Sequence, residues 1–230
     1  MSKISLIMLS WERVSNVLNS INNYLSYKLI DEIIIFNNNN KYDLRKLGNK
    51  KVTIIESSKD MGLYSRFAAA GLAHNPCIMH CDDDLLIPEE TVNELYRCWV
   101  KSPKICHGTQ GRQITDKYET GDVYGNVPIV LTRCMLVSKS NCIQALGFSS
   151  CFQDLICEPE GNGEDIILSF ISMSHGKSLN KSYRLPYFNY DNYKDEKNGL
   201  THSIHRRWKH HLDHRTNIIN RCRSLLMPAL

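Results

Sequence analysis

Pro76-Cys77-Ile78-Met79-His80-Cys81-Asp82-Asp83-Asp84 is a short apolar run that ends in three consecutive carboxylates. The apolar part reads as a buried strand. The acidic end does not read as packing, because adjacent unpaired carboxylates repel one another and raise one another's pKa values. A divalent cation removes that penalty. Mn²⁺ and Mg²⁺ take hard oxygen ligands, and Mg²⁺ commonly bridges one or two carboxylates to substrate phosphates. In an extended chain, residues two apart face the same side. Asp82 and Asp84 are therefore expected to act together, one on the metal and one on a ligand. The plainer alternative is a solvated acidic turn ahead of the helix that begins near Pro88-Glu89-Glu90.

On either side of this stretch, strand and helix signals alternate. Strands are expected over residues 4–9, 32–36, 51–55 and 78–81, and helices over 14–25, 64–73 and 89–100. In the first helix Val14, Val17, Leu18, Ile21 and Leu25 recur at helical spacing. Such alternation predicts an α/β fold, with a mostly parallel sheet and helices on both faces. Ligands of such sheets bind at the carboxyl ends of the strands. The polar motifs fall there: Ser10-Trp11-Glu12-Arg13, Asn37 to Asn40, and the aspartates. The second half is less regular. Strands are expected over 129–132 and 135–137, a helix over 166–173, and a polar, tyrosine-rich loop over 188–199.

The 230 residues suit one domain with a real core. A net charge of +4 is too small to argue for nucleic acid. The positive charge gathers late, in Arg206, Arg207, Lys209, Arg215, Arg221 and Arg223, a segment fit to meet phosphate, a membrane surface or an acidic substrate. The nine cysteines are scattered, with no regular framework, and Cys77 and Cys81 read as small buried thiols rather than zinc ligands. No signal peptide and no apolar run long enough for a bilayer is visible. The expectation is a reducing, cytoplasmic setting, bacterial or viral in origin. His80 reads as a hydrogen-bonded core residue, and Trp11, Trp99 and Trp208 as packing, although Trp11 lies on a site loop.

Further motifs stand in a fixed order. After Arg13 come Phe36-Asn37-Asn38, Ser65-Arg66-Phe67 and the aspartate triplet. Trp99 with Pro103, Gly111-Arg112 and Val130-Leu131-Thr132 follow. Asn162-Gly163-Glu164-Asp165-Ile166, Gly199-Leu200-Thr201 and Arg215-Thr216-Asn217-Ile218-Ile219-Asn220 complete the set. This ordered set resembles GT-A fold glycosyltransferases, most closely the exostosin-type (GT64-like) α-N-acetylhexosaminyltransferase domain. Phe36 replaces the usual Trp, and Asp60-Met61-Gly62 lacks polar residues that other members carry ahead of Arg66.

The resemblance implies a single α/β GT-A domain over residues 1–230, a Rossmann-like mixed sheet flanked by helices, with a nucleotide-binding half over 1–100 and an acceptor half over 101–230 that carries the basic C-terminal segment. It also implies a metal-dependent enzyme that moves a sugar, with retention, from a UDP-sugar to a glycan acceptor. UDP-GlcNAc is the foremost donor, with Mn²⁺ or Mg²⁺ held by Asp84 and Asp82. Asp82 and Asp83 would position ribose and sugar. Arg13, whose guanidinium suits phosphate, would meet the donor diphosphate or its nucleoside. Asn37 and Asn38 offer donors and acceptors suited to a uracil edge, although asparagines also simply make turns. Arg66, in an otherwise apolar helical run, either snorkels to solvent or is aimed at the nucleotide. Asp165, with Glu164 beside it, would lie near the acceptor and the anomeric carbon, although acids at a helix start are common in their own right. Arg215 would stabilise the β-phosphate as charge develops on it. Two alternatives remain: the same fold using UDP-xylose, UDP-galactose or UDP-glucose, and a silent sugar-nucleotide or glycan-binding module.

Overall fold

The computed structural model describes residues 3–39, 41, 43–44, 47–156, 162–190 and 210–226. Asn40, Gly161, Gly199-Leu200-Thr201, Arg206, Arg207, Trp208, Lys209 and the expected loop beyond residue 190 lie outside them.

The apolar, β-branched runs of the first half become parallel strands. β1 (Ile4–Ser10) pairs with β2 (Ile30–Asn37) and with β4 (Cys77–Cys81), and β2 pairs with β3 (Val52–Glu56). α1 (Val14–Tyr24) and α2 (Ser65–Leu72) lie between them in sequence. After β4 come the short β5 (Leu85–Leu86) and α3 (Glu89–Lys101). The second half supplies β6 (His107–Gly108), β7 (Gly111–Arg112), β8 (Gly125–Val127), β9 (Ile129–Val130) and β10 (Cys134–Ser138). Then follow α4 (Lys139–Phe148), α5 (Gln153–Ile156), α6 (Glu164–Gly176), β11 (Asn180–Ser182), β12 (Phe188–Asn189) and α7 (His211–Leu226).

One eight-stranded sheet runs in the order β3-β2-β1-β4-β10-β6-β11-β8. Its first four strands are parallel, and β10 is antiparallel to both β4 and β6. The sheet is thus mixed where the alternation alone predicts a mostly parallel one. Alternate residues of the central strands divide the core. Ile7, Ile34 and Ile78 face the α2, α4, α6 and α7 layer, where Phe67, Ile166, Phe170 and Ile218 pack. Leu6, Met8, Ile33, Ile35, Cys77, Met79 and Cys81 face α1 and α3, where Val17, Ile21, Leu95 and Trp99 pack. Both layers are needed because parallel strands bury both faces.

Three details depart from the expected pattern. The strand expected over 129–132 ends at Val130, and Leu131–Arg133 form a turn into β10. The acidic triplet is also a turn, between β4 and β5, rather than extended chain. Trp11 is 38% exposed, so it projects from the β1–α1 loop instead of packing. His80 is fully buried, with Nε2 3.4 Å from Cys142 Sγ and its ring edge-on to Phe67. The eight described cysteines are free thiols. Among the described residues, no helix is long and apolar enough to cross a membrane.

Candidate active site

Strand register decides what meets at the carboxyl rim. Ser10 lies beside Asn37, Asn37 beside Glu56, and Met8 beside Cys81. Arg13, Asn37-Asn38 and Asp82–Asp84 therefore follow neighbouring strand ends. Because β10 runs the opposite way, with Cys134 opposite Cys81, the turn ahead of it reaches the same rim. The Asp82 amide N–H donates to the Arg133 carbonyl across that junction at 3.2 Å.

Each aspartate of the triplet faces a guanidinium. Arg13 bonds Asp83 at 2.7 Å and Asp84 at 3.1 Å. Arg133 bonds Asp84 at 3.3 Å, and Arg66 bonds Asp82 at 3.1 Å. The turn thus sends Asp82 to one partner and Asp83 with Asp84 to others, where extended backbone would have aimed Asp82 and Asp84 alike. Burial pushes the Asp83 carboxyl up, Arg13 opposes this, and Asp82 and Asp84 add to it, so it rests at about 7. The triplet therefore carries more negative charge than its buried member readily accepts.

Arg66 is only 2% exposed, so it does not snorkel. Its Nη1 donates to the Thr132 carbonyl at 3.4 Å, and its Nε lies 3.6 Å from Glu164 Oε1. One side chain therefore joins the triplet to the second acid pair, some eighty residues away in sequence. Thr132 Oγ1 donates to Glu164 at 2.9 Å. Burial raises the Glu164 pKa and Arg66 pulls against it, while Asp165 adds to the rise.

Beside this pair, Arg215 Nη2 bonds Asp165 at 2.6 Å and Nη1 donates to Asn162 Oδ1 at 2.7 Å. The guanidinium carbon lies 4.3 Å over the Tyr118 ring, a cation–π arrangement. Burial works to lower the Arg215 pKa, but Asp165 and Tyr118 outweigh it and the group is held more firmly charged. Its Nε–H and the nearby Tyr64 hydroxyl are buried with no hydrogen-bond partner among the described residues. Buried donors of this kind ordinarily find an acceptor.

Gly163 sets the start of α6, with φ +119°. A Cβ there would sit 2.3 Å from Ile218 Cδ1 of α7. Gly163→Ala is expected to lower stability by about 1–3 kcal/mol, through left-handed backbone and overpacking. It should also shift Glu164 and Asp165 away from Arg66 and Arg215. Urea unfolding checks the first effect, and an unchanged midpoint would contradict the packing described.

Asn37 and Asn38 close the other end of the rim. Asn37 Nδ2 donates to Glu56 at 2.8 Å, and its Oδ1 accepts from the Asn39 amide at 3.3 Å. Asn38 Nδ2 donates to the Gly62 carbonyl and to Ser65 Oγ, and its Oδ1 accepts from the Met61 amide. Both amides brace the loops that lead to Arg66.

Sequence reasoning missed three residues. Arg133 follows Val130-Leu131-Thr132 directly, and a charge between two apolar segments was its available signal. Tyr118 and Tyr64 gave none, being lone aromatics whose contacts arise only on folding.

The partly exposed carboxylates of Asp82 and Asp84 are a hard-oxygen donor set of the kind Mn²⁺ and Mg²⁺ take. Among the described residues no group of three or more His, Cys, Asp or Glu converges to hold a metal alone. One or two carboxylates, completed by phosphate oxygens, is a usual mode for Mg²⁺, and these residues fit it.

This fold is that of the GT-A glycosyltransferases. GalNAc-T7, solved with UDP, GalNAc and Mn²⁺, aligns with a TM-score of 0.59 and 13% identity, over 80% of this chain and 44% of that one. TarS of S. aureus aligns at 0.58 and 11%, over 81% and 60%. The mannosyltransferase PcManGT from Pyrobaculum calidifontis, solved with GDP-Man and Mn²⁺, aligns at 0.55 and 12%, over 80% and 56%. The chain thus spans roughly half the length of these structures. No curated protein sequence matches it. The family model of the Glycosyl transferase family 64 domain matches residues 4–228, and the chain belongs to that family.

Proposed function

We propose that this domain is a metal-dependent glycosyltransferase that moves an N-acetylhexosamine, with retention, from a UDP-sugar to a glycan acceptor. The observation that carries this reading is the meeting, through Arg66, of the Asp82–Asp84 triplet with Glu164 and Asp165. A donor end and an acceptor end lie on one rim, with Arg215 beside the junction. Two of the solved neighbours hold Mn²⁺ with nucleotide or nucleotide-sugar, and their bases differ, UDP in one and GDP-Man in the other. The uridine assignment therefore rests on the family resemblance alone, because the Asn37 and Asn38 side chains, expected at a uracil edge, are buried and bonded to neighbouring loops.

In this reading, Asp84 and Asp82 hold the cation, which when bound lends Lewis-acid charge to the diphosphate. Asp83 and Asp82 hold ribose and sugar. Arg13 turns its guanidinium to the diphosphate or nucleoside. Transfer breaks the bond from the anomeric carbon to the diphosphate oxygen, joins that carbon to the oxygen of an acceptor hydroxyl, and passes the hydroxyl proton to the departing diphosphate. Negative charge collects on the β-phosphate, and the buried Nε–H of Arg215, which has no partner among the described residues, would be a donor to receive it. Asp165, held in one orientation by Arg215, positions the acceptor.

The test is binding and turnover. With Mn²⁺ present, UDP is expected to bind at least about tenfold more tightly than GDP or CDP, the margin of one lost recognition contact of about 1.4 kcal/mol. EDTA should abolish transfer from UDP-N-acetylhexosamine, and Mn²⁺ should restore it. Equal affinities by calorimetry would remove the uridine reading, and full activity in EDTA would remove the metal.

A further inference from the structure

We infer that Arg133 is a displaceable counter-cation: it neutralises Asp84 in the metal-free protein, and when a divalent ion binds there it turns to the donor's diphosphate. The inference rests on the reading of the rim given above and goes beyond it by assigning a role to a residue outside the predicted set.

Three carboxylates, Asp82, Asp83 and Asp84, are met by three guanidiniums, Arg66, Arg13 and Arg133. Each carboxylate already has a guanidinium partner, Arg66 being shared with Glu164, and carboxylates so paired are a poor host for a divalent cation. Adding one requires either that an arginine withdraw or that an anion arrive with the metal. The three arginines differ in freedom to withdraw. Arg66 has a side-chain exposure of 3% and is committed to Asp82, Glu164 and the Thr132 carbonyl. Arg13 spans two carboxylates and keeps Asp83 if Asp84 is taken. Arg133 is the most exposed of the three, at 25%, and its bond to Asp84 is the longest, at 3.3 Å.

Arg133 also has somewhere to go. Nη1 donates to Gln110 Oε1 at 3.2 Å, and Nη2 donates to Asn189 Oδ1 at 3.2 Å. These neutral acceptors hold the guanidinium at the rim when Asp84 turns to a metal. Asn189 belongs to β12, which pairs with β5 directly after the triplet, and the Tyr190 amide donates to the Asp84 carbonyl at 2.9 Å. Asn189, one of the two residues that would retain the released arginine, is thus attached to the acidic turn itself. A planar guanidinium kept there is suited to a phosphate group.

The role predicts effects of opposite sign on two ligands, which a merely structural residue would not produce. Apo protein is titrated with Mn²⁺ alone, reading free Mn²⁺ by electron paramagnetic resonance. Arg133→Gln should bind Mn²⁺ about two- to fivefold more tightly than wild type, the range set by removing a partly screened competing ion pair. With Mn²⁺ saturating, the same variant should bind UDP about tenfold more weakly by calorimetry, having lost one charged phosphate contact. Arg133→Lys, which keeps the charge, should hold Mn²⁺ affinity near wild type. In an Asp84→Asn background the effect of Arg133→Gln on Mn²⁺ should vanish, as a double-mutant cycle requires. Mn²⁺ affinity unchanged in Arg133→Gln, or both ligands shifting in the same direction, overturns the role of Arg133 and leaves the site reading standing. Wild-type protein that binds no Mn²⁺ with or without UDP overturns the site reading as well.

Discussion

Arg215→Ala is expected to cost about 3–5 kcal/mol of stability, because it strands a buried carboxylate. Asp165 and Arg215 are each about 4% exposed, and their bond is 2.6 Å long. Asp165→Ala should cost a similar amount by stranding the guanidinium. The double variant should cost much less than the sum, since removing both members of a buried pair leaves no orphaned charge. Urea unfolding of the four proteins measures this directly, and strict additivity would mean the pair is not coupled as described. The same contact predicts a loss of activity that stability does not explain. Asp165→Asn keeps shape and much of the hydrogen bonding, so its transfer rate should fall about 10²–10³-fold under conditions where it stays folded, the usual worth of one fixed electrostatic contact. UDP affinity should barely move. If Asp165→Asn weakens UDP binding as much as loss of the metal ligand does, the acceptor-side assignment fails.

Asp84→Ala should behave in the opposite way, with a large functional loss and a small structural one. Transfer and Mn²⁺-dependent UDP binding are expected to fall at least about 10²-fold, since the variant loses the main anchor for the diphosphate charge. Stability should change by no more than about 1 kcal/mol, because the ion pairs lost are partly exposed. Arg13 keeps Asp83, and Arg133 keeps Gln110 and Asn189. Thermal unfolding beside a calorimetric UDP titration gives both numbers. Unimpaired transfer in Asp84→Ala would remove the triplet from the mechanism.

The alternation of strands and helices was legible because its signals are local. β-branched runs such as Ile33-Ile34-Ile35 and the helical spacing of Val14, Val17, Leu18 and Ile21 specify elements without knowledge of their neighbours. Strand order was not legible. That β10 lies beside β4, antiparallel, depends on pairing across some fifty residues, which no local pattern encodes. The conversion of Leu131–Arg133 from strand to turn follows from that pairing, and so does the arrival of Arg133 at Asp84. The acidic residues could be picked out because clustered charge is costly and demands a reason. Their partners could not, because a lone arginine or tyrosine looks the same in sequence on a surface or in a site. Asn37 and Asn38 illustrate the limit from the other side: their hydrogen-bonding capacity was evident, but the loops that use it were not.

The reversal of chain direction at β10 has an evolutionary reading. A strand of the parallel type enters the sheet from the far end and delivers only its last residues to the carboxyl rim. β10 starts at that rim, so the residue just before it is presented there and is not needed by the core: Cys134 and Met135 are sealed in while Arg133 stays partly open. Position 133 is consequently a place where lineages can exchange a side chain at low structural risk. Its charge, size or absence resets the electrical balance around Asp84 while the scaffold beneath it stays the same.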